Sequence, residues 1–192
     1  MNSFVNEFRN EQPQKKRGLT ITLSGLAGSG KTSVGEAISE KFGLKHVTVG
    51  EIFRGMAKER KLSLEDFLKT VTAEEDREAD KRTLQLAMKG GVVIDSRLSG
   101  WIAGGFADFR IFISPSLEER ARRVSGRDNM NYEEALKKVS QRDECDIGRY
   151  KKLYNVDLRD LSVYHLVLDN TKFSKNETAS IVNSILGKAF KK

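Results

Sequence analysis

The stretch Gly25-Leu26-Ala27-Gly28-Ser29-Gly30-Lys31-Thr32 fits G-x-x-x-x-G-K-[ST] at every fixed position. Each residue type has a chemical duty in that pattern. Glycines let the backbone bend so that successive N–H groups aim inward at phosphate oxygens. A helix that starts there adds its positive N-terminal end at the same point. Lys31 brings a full positive charge to the β- and γ-phosphates, and Thr32 offers a hydroxyl to Mg²⁺. With Ser33 next in line, residues 25–33 make up the expected ATP-binding loop.

A second feature is Val92-Val93-Ile94-Asp95, an apolar run ending in a carboxylate. After a P-loop, such a carboxylate usually holds Mg²⁺, so Thr32 and Asp95 are the expected metal pair. A plain strand-end cap is the alternative for Asp95. The third feature is arginine spacing. When donor and acceptor are both phosphates, each unit pair at about 4 Å repels by about 4 kcal/mol at an effective dielectric near 20. A site for that reaction needs several cations, and the arginine fork grips phosphate in a bidentate way. Arg120, Arg123 and Arg127 are three and four residues apart, as are Arg142, Asp146 and Arg149 in the reverse order. Each set is spaced to share one helical face. Arg97 follows Asp95 at a strand's C-terminal end, where open α/β sheets bind ligands. Arg54 lies about one turn into a further predicted helix. The polar stretch 125–142 reads as part of a lid that excludes water, the competing nucleophile.

The elements that must position these groups follow from periodicity. Leu19–Leu23 reads as a buried strand, followed by the loop and a helix over Lys31–Phe42 stopped by Gly43. Strands are predicted at Lys45–Val49, Val92–Ile94, Arg110–Ile113 and Tyr164–Leu168. Helices are predicted over 51–60, 64–71, 75–89, 117–124, 132–154 and 176–190. Short apolar strands alternating with helices imply a parallel sheet covered on both faces.

The whole chain has 192 residues, 38% hydrophobic and 32% charged, which suits one globular domain. Residues 1–17 read as a disordered tail and 18–192 as a single domain. No apolar run approaches a membrane span, and no hydrophobic signal core opens the chain. The lone Cys145 permits no internal disulfide, so a reducing cytoplasm is expected. A net charge of +7 fits nucleic acid or a phosphate-rich small-molecule site equally. A nucleotide-dependent RNA-binding or switch protein is therefore the competing class, and facing phosphates explain the arginines better. His46 and His165 have no cysteine partner nearby and read as structural. Trp101 reads as either a base-stacking or a packing aromatic.

Taken together, the chain resembles a cytidylate kinase of the short archaeal type, within the adenylate-kinase-like P-loop kinases. The resemblance runs over about residues 19–172. Ser24–Thr32 carries it on the donor side. Gly50-Glu51-Ile52-Phe53-Arg54-Gly55-Met56-Ala57 and Asp95-Ser96-Arg97-Leu98-Ser99-Gly100-Trp101 carry it on the acceptor side. Arg142-Asp143-Glu144, Arg149-Tyr150, Tyr154 to Asp157 and Leu161-Ser162-Val163-Tyr164 carry it in the lid. It implies an α/β P-loop kinase fold with a five-stranded parallel sheet, acceptor-binding helices at about 50–90 and a helical lid at about 125–149. It implies ATP with Mg²⁺ as donor and CMP or dCMP as acceptor, a kinase for another nucleoside monophosphate or small molecule being the alternative. A monomer without a nucleic-acid partner is expected. Arg54 and Arg97 would hold the acceptor phosphate. Arg127, Arg142 and Arg149 would act with Lys31 as catalytic cations. Asp146 would approach the base, whose N4 amine donates to a carboxylate. Asp76 and Asp80 are further acceptor-side candidates. Ser96 stands where the family pattern has glycine, and Leu98 where bacterial relatives carry aspartate. The large acceptor-side insert of the bacterial relatives is absent.

Overall fold

The computed structural model describes residues 18–191, so the expected tail at 1–17 lies outside the described residues. Five strands form one sheet: β1 (Thr20–Ser24), β2 (Lys45–Thr48), β3 (Val92–Asp95), β4 (Phe109–Ile113) and β5 (Leu166–Leu168). Their order is β2-β3-β1-β4-β5, and every neighbouring pair is parallel. The helices are α1 (Lys31–Phe42), α2 (Val49–Glu59), α3 (Leu64–Thr70), α4 (Ala73–Lys89), α5 (Ser99–Ala103), α6 (Leu117–Asp128), α7 (Tyr132–Tyr154) and α8 (Lys175–Phe190).

The three inner strands of the sheet, β1, β3 and β4, are largely buried on both faces, while β2 and β5 form partly exposed edges. Residues alternate between faces along each strand. Val92 and Ile94 pack into a cluster with Ile52, Met56 and Phe67 from α2 and α3. Val93 joins Ile21, Leu23, Ile111 and Ile113 in the opposite cluster, with Val34, Ile38, Val182 and Leu186 of α1 and α8. Each fully buried Leu or Ile contributes about 1.5–3 kcal/mol of transfer free energy. A third cluster joins Leu84 and Met88 of α4, Leu98 and Ile102 beside and within α5, and Tyr154 at the end of α7. The α6–α7 hairpin has only a small buried cluster, Val124, Ala135 and Val139, flanked by Leu117 and Met130.

Helix starts are explained by local hydrogen bonding. Thr48 and Glu51 form a capping box at α2, and Thr72 with Glu75 and Ser174 with Glu177 do the same at α4 and α8. Most element boundaries lie within one or two residues of the sequence expectations, Val49 for instance opening α2 rather than closing β2, and three departures are larger or unexpected. α6 continues to Asp128, ending at Asn129 in the left-handed region with φ 50°. β5 begins at Leu166, because Tyr164 N–H turns back to the Leu161 carbonyl at 3.1 Å. α5 was not anticipated, since five residues carry no readable periodicity. It forms because Leu98 and Ile102 are drawn into the third cluster and Ser96 Oγ accepts from Leu98 N–H at 3.1 Å.

At the N-terminal ends of the strands, glycine meets glycine. A Cβ on Gly90 would lie 2.2 Å from the Gly18 carbonyl oxygen, and one on Gly18 would lie 2.6 Å from Gly91 N. Gly90 also has φ 74°. The α4–β3 turn can therefore seat against the entry to β1 only without side chains at these two points.

Candidate active site

The glycine-rich loop joins β1 to α1 at the C-terminal edge of the sheet, where β1 has β3 on one side and β4 on the other. This is the topological switch point of an open α/β sheet. Gly28 and Gly30 have φ 78° and 86°, a region that L side chains rarely adopt, and Gly30 is the N-cap of α1. Lys31 Nζ turns into the loop and donates to the Leu26 carbonyl at 3.1 Å and to Ser29 Oγ at 3.2 Å. Burial lowers its pKa to about 8, against the opposing pull of the Asp95 carboxylate. A phosphate beside it would restore full protonation.

Thr32 Oγ1 donates to Asp95 Oδ2 at 2.9 Å. The expected metal pair therefore meets in space, 63 residues apart in sequence. Among the described residues no group of three or more His, Cys, Asp or Glu side chains could hold a metal. A hydroxyl and one carboxylate beside a phosphate site are the donor set that suits Mg²⁺, which keeps waters and uses phosphate oxygens. The residues present fit the ion.

The groups expected on the acceptor side are joined by two ion pairs and a tyrosine hydrogen bond. Arg97, in the turn between β3 and α5, pairs with Asp146 of α7. The pairing is through charge: neither Arg97 Nε nor Asp146 Oδ2 has an aligned hydrogen bond. Arg149 of α7 pairs with Asp76 of α4. Tyr154 OH donates to Asp80 Oδ2 at 2.5 Å. Burial raises the carboxyl pKa of Asp146 and of Asp76, opposed by Arg97 and by Arg149 respectively. Burial pushes Asp80 up to about 7, and the neighbouring Asp76 charge adds to the rise. Arg142 is lowered, first by the like charge of Arg97 and then by burial, with Arg127 adding to the repulsion.

The structure thus brings Lys31, Asp95, Arg97, Arg142 and Asp146 within reach of one another's charge. Arg149, Asp76 and Asp80 continue the same network. Arg127 stands at its margin, 67% exposed and paired with Asp128 at 2.7 Å. Arg54 stands apart on the exposed surface of α2, where its charge acts on Glu51. Arg120 and Arg123 are committed to protein groups. Arg120 bonds the Ala27 carbonyl and Asp143, and Arg123 bonds the Ser29 and Asn170 carbonyls. Their spacing did place them together, but facing the back of the loop.

His46, structural by its sequence context, sits closer to the site than that context suggests. Its Nε2 is buried without a hydrogen-bond partner, 4.0 Å from Asp95 Oδ2. The ring lies over Gly35, where a Cβ would come within 2.4 Å of Nε2. A glycine in the middle of a P-loop helix, with no turn to explain it, was the available signal. Trp101 packs against the third core cluster, which meets its packing reading.

Comparison with known proteins places this geometry. The family model described as AAA domain matches residues 21–147. The cytidylate kinase of Pyrococcus horikoshii is 43% identical over 173 residues, covering 89% of this chain and 90% of the relative. The cytidylate kinase of Methanocaldococcus jannaschii is 40% identical over 173 residues, covering 88% and 97%. Among solved structures, shikimate kinase from Bacteroides thetaiotaomicron superposes with a TM-score of 0.61 at 13% identity, covering 88% of this chain and 98% of that one. At that identity the likeness speaks for the P-loop kinase fold alone. With its sheet order, its phosphate loop and relatives alike over nearly their whole length, the chain belongs to the archaeal cytidylate kinase family.

Proposed function

We propose that this enzyme transfers the γ-phosphate of ATP to CMP, and to dCMP, giving the nucleoside diphosphate and ADP. The observation that carries the reading is the convergence of Lys31, Arg97 and Arg142 in front of the glycine-rich loop, with Asp146 among them. Like charges crowded this closely oppose one another, and two facing phosphates offset that repulsion.

The chemistry asks little of a general base, because the attacking acceptor oxygen is already anionic. That oxygen bonds to the γ-phosphorus as the bond to the β-bridging oxygen breaks. The protein's part is alignment and charge stabilisation. The loop N–H groups and Lys31 hold the donor phosphates. Arg97 and Arg54 take the acceptor phosphate, and Arg142, Arg149 and Arg127 meet the charge in transfer. For Arg54 and Arg127 this requires the α2 and α6–α7 segments to close over the substrates. Thr32 and Asp95 would hold Mg²⁺, which supplies charge neutralisation at the β- and γ-oxygens when bound. Asp146 accepts from the cytosine N4 amine, and Asp76 and Asp80 line the same side. The partners are small molecules, and the enzyme acts as a cytoplasmic monomer. Among the described residues no helix is long and apolar enough to cross a membrane.

The test is ADP release from ATP-Mg²⁺ with CMP, dCMP, UMP, AMP or GMP supplied singly, beside a control without acceptor. Turnover with CMP well above the control is expected. Preference for another monophosphate would overturn the base assignment, and equal rates with and without every acceptor would overturn the transfer reading.

A further inference from the structure

One buried side chain joins the phosphate loop to the helix that carries Arg142, Asp146 and Arg149. Arg120 of α6 is 6% exposed. Its Nη1 donates to the Ala27 carbonyl in the loop at 3.2 Å and to Asp143 Oδ2 on α7 at 2.6 Å. The loop is seated directly on this point of α6. A Cβ on Gly28 would lie 2.8 Å from the Arg120 carbonyl oxygen and 3.1 Å from Val124 Cγ2. Asp143 is 8% exposed, and its second oxygen, Oδ1, is buried without a hydrogen-bond partner. Asp143 directly follows Arg142 and lies three residues before Asp146, on the turn of α7 that must place both.

As a device for holding two helices together, this pair is a poor choice. Desolvating an arginine and a carboxylate costs several kcal/mol per ion, and an apolar pair of similar volume often serves as well or better. The arginine does something an apolar residue cannot: it bonds a loop carbonyl and a carboxylate on another element at once.

We infer that Arg120 is a positioning residue that couples the phosphate loop to α7, so that loading ATP and placing Arg142 are one event. A shift of the Ala27 carbonyl as the loop takes up phosphates moves Arg120, and Asp143 carries the shift into the turn that presents Arg142 and Asp146. The inference rests on the kinase reading for its kinetic consequence, and its structural consequence concerns ATP alone.

The test compares wild type with Arg120→Met and with the double variant Arg120→Met/Asp143→Leu. The double variant removes the pair without leaving a lone buried charge, so its Tm should equal or exceed that of wild type. Two readouts follow. The first is hydrogen exchange of the Tyr132–Tyr154 amides with and without ATP-Mg²⁺. Wild type is expected to gain protection on ATP addition, and the double variant to lose roughly nine-tenths of that gain. The second is kinetics with CMP, where kcat should fall roughly 10- to 100-fold and KM for ATP should change by less than about threefold. A double variant with wild-type Tm and wild-type kcat would make the pair mere packing and overturn the inference. So would ATP-dependent protection of α7 that is equal in the two proteins, or absent from wild type. If Arg120→Met does not fold, the double variant alone decides. If wild type does not turn over CMP, the acceptor assignment fails while the exchange comparison still judges the coupling.

Discussion

The donor side and the acceptor side proposed for this site are built on different principles. The donor loop is made of backbone: three glycines at positive φ, a helix N-terminus, and a lysine held by the loop's own carbonyl. It sits on the sheet and is braced from behind by Arg120 and Arg123. The acceptor side is made of side chains reaching from three segments, the β3–α5 turn, α4 and α7, with Arg97 on Asp146 and Arg149 on Asp76. Arg97 and Arg149 are paired with carboxylates, which in the proposed reaction a substrate phosphate would replace. A backbone cradle is paid for in folding and is ready for its ligand. A side-chain network keeps its charges paired until the right ligand offers a better partner, which makes it the natural place for selectivity.

The comparison can be broken most forcefully at Lys31. Lys31→Met should lower kcat/KM by roughly 10³-fold or more while Tm stays near or above that of wild type, because a buried cation is removed. Steady-state kinetics and a thermal scan check this together. A modest loss would mean that the loop backbone alone carries the donor side. Next in size is Arg97→Ala, expected to cost roughly 10²- to 10³-fold in kcat/KM with CMP. Near-normal turnover in a folded protein would remove Arg97 from the acceptor side and leave its pair with Asp146 as scaffolding.

The smallest effect sharpens the comparison through pH. The Asp80 pKa is raised to about 7, chiefly by burial, with Tyr154 and Arg149 opposing and Asp76 adding. A native pKa above the unfolded one means that the native state binds more protons between about pH 4 and 7. Stability from this group is therefore full at low pH and is lost as pH rises through 7. Asp80→Asn should remove that loss, so its Tm relative to wild type should rise by roughly 5 °C between pH 5 and pH 8. Parallel Tm profiles would show that the carboxyl ionises freely in the folded protein.

How far the sequence could be read follows the same division. The loop was legible because backbone geometry forces residue type: only glycine suits the φ of Gly28 and Gly30, and Lys31 and Thr32 stand at fixed offsets from them. The parallel sheet was legible because short apolar and β-branched runs alternate with helical patterns along the chain. The partners of the arginines were not legible. Helical spacing put Arg120, Arg123 and Arg127 on one face, but spacing does not say what the face meets. Two of them meet the loop's carbonyls, and the third pairs with its neighbour Asp128. α5 and the position of His46 depend on tertiary contacts, with Leu98 and Ile102 in one case and Gly35 in the other. Apart from the glycine inside α1, no local pattern points to those contacts.

The glycine crossing of Gly18 on Gly90 fixes where the described chain enters β1, at the end of the sheet opposite the phosphate loop. β1 has five residues, so about 16 Å of strand separates that entry from the loop. For protein engineering this makes the two ends of β1 unequal attachment points. A reporter or immobilisation tether joined ahead of Gly18 would emerge away from the nucleotide face. A side chain larger than hydrogen introduced at Gly18 or Gly90 would instead pry the first strand from its neighbour.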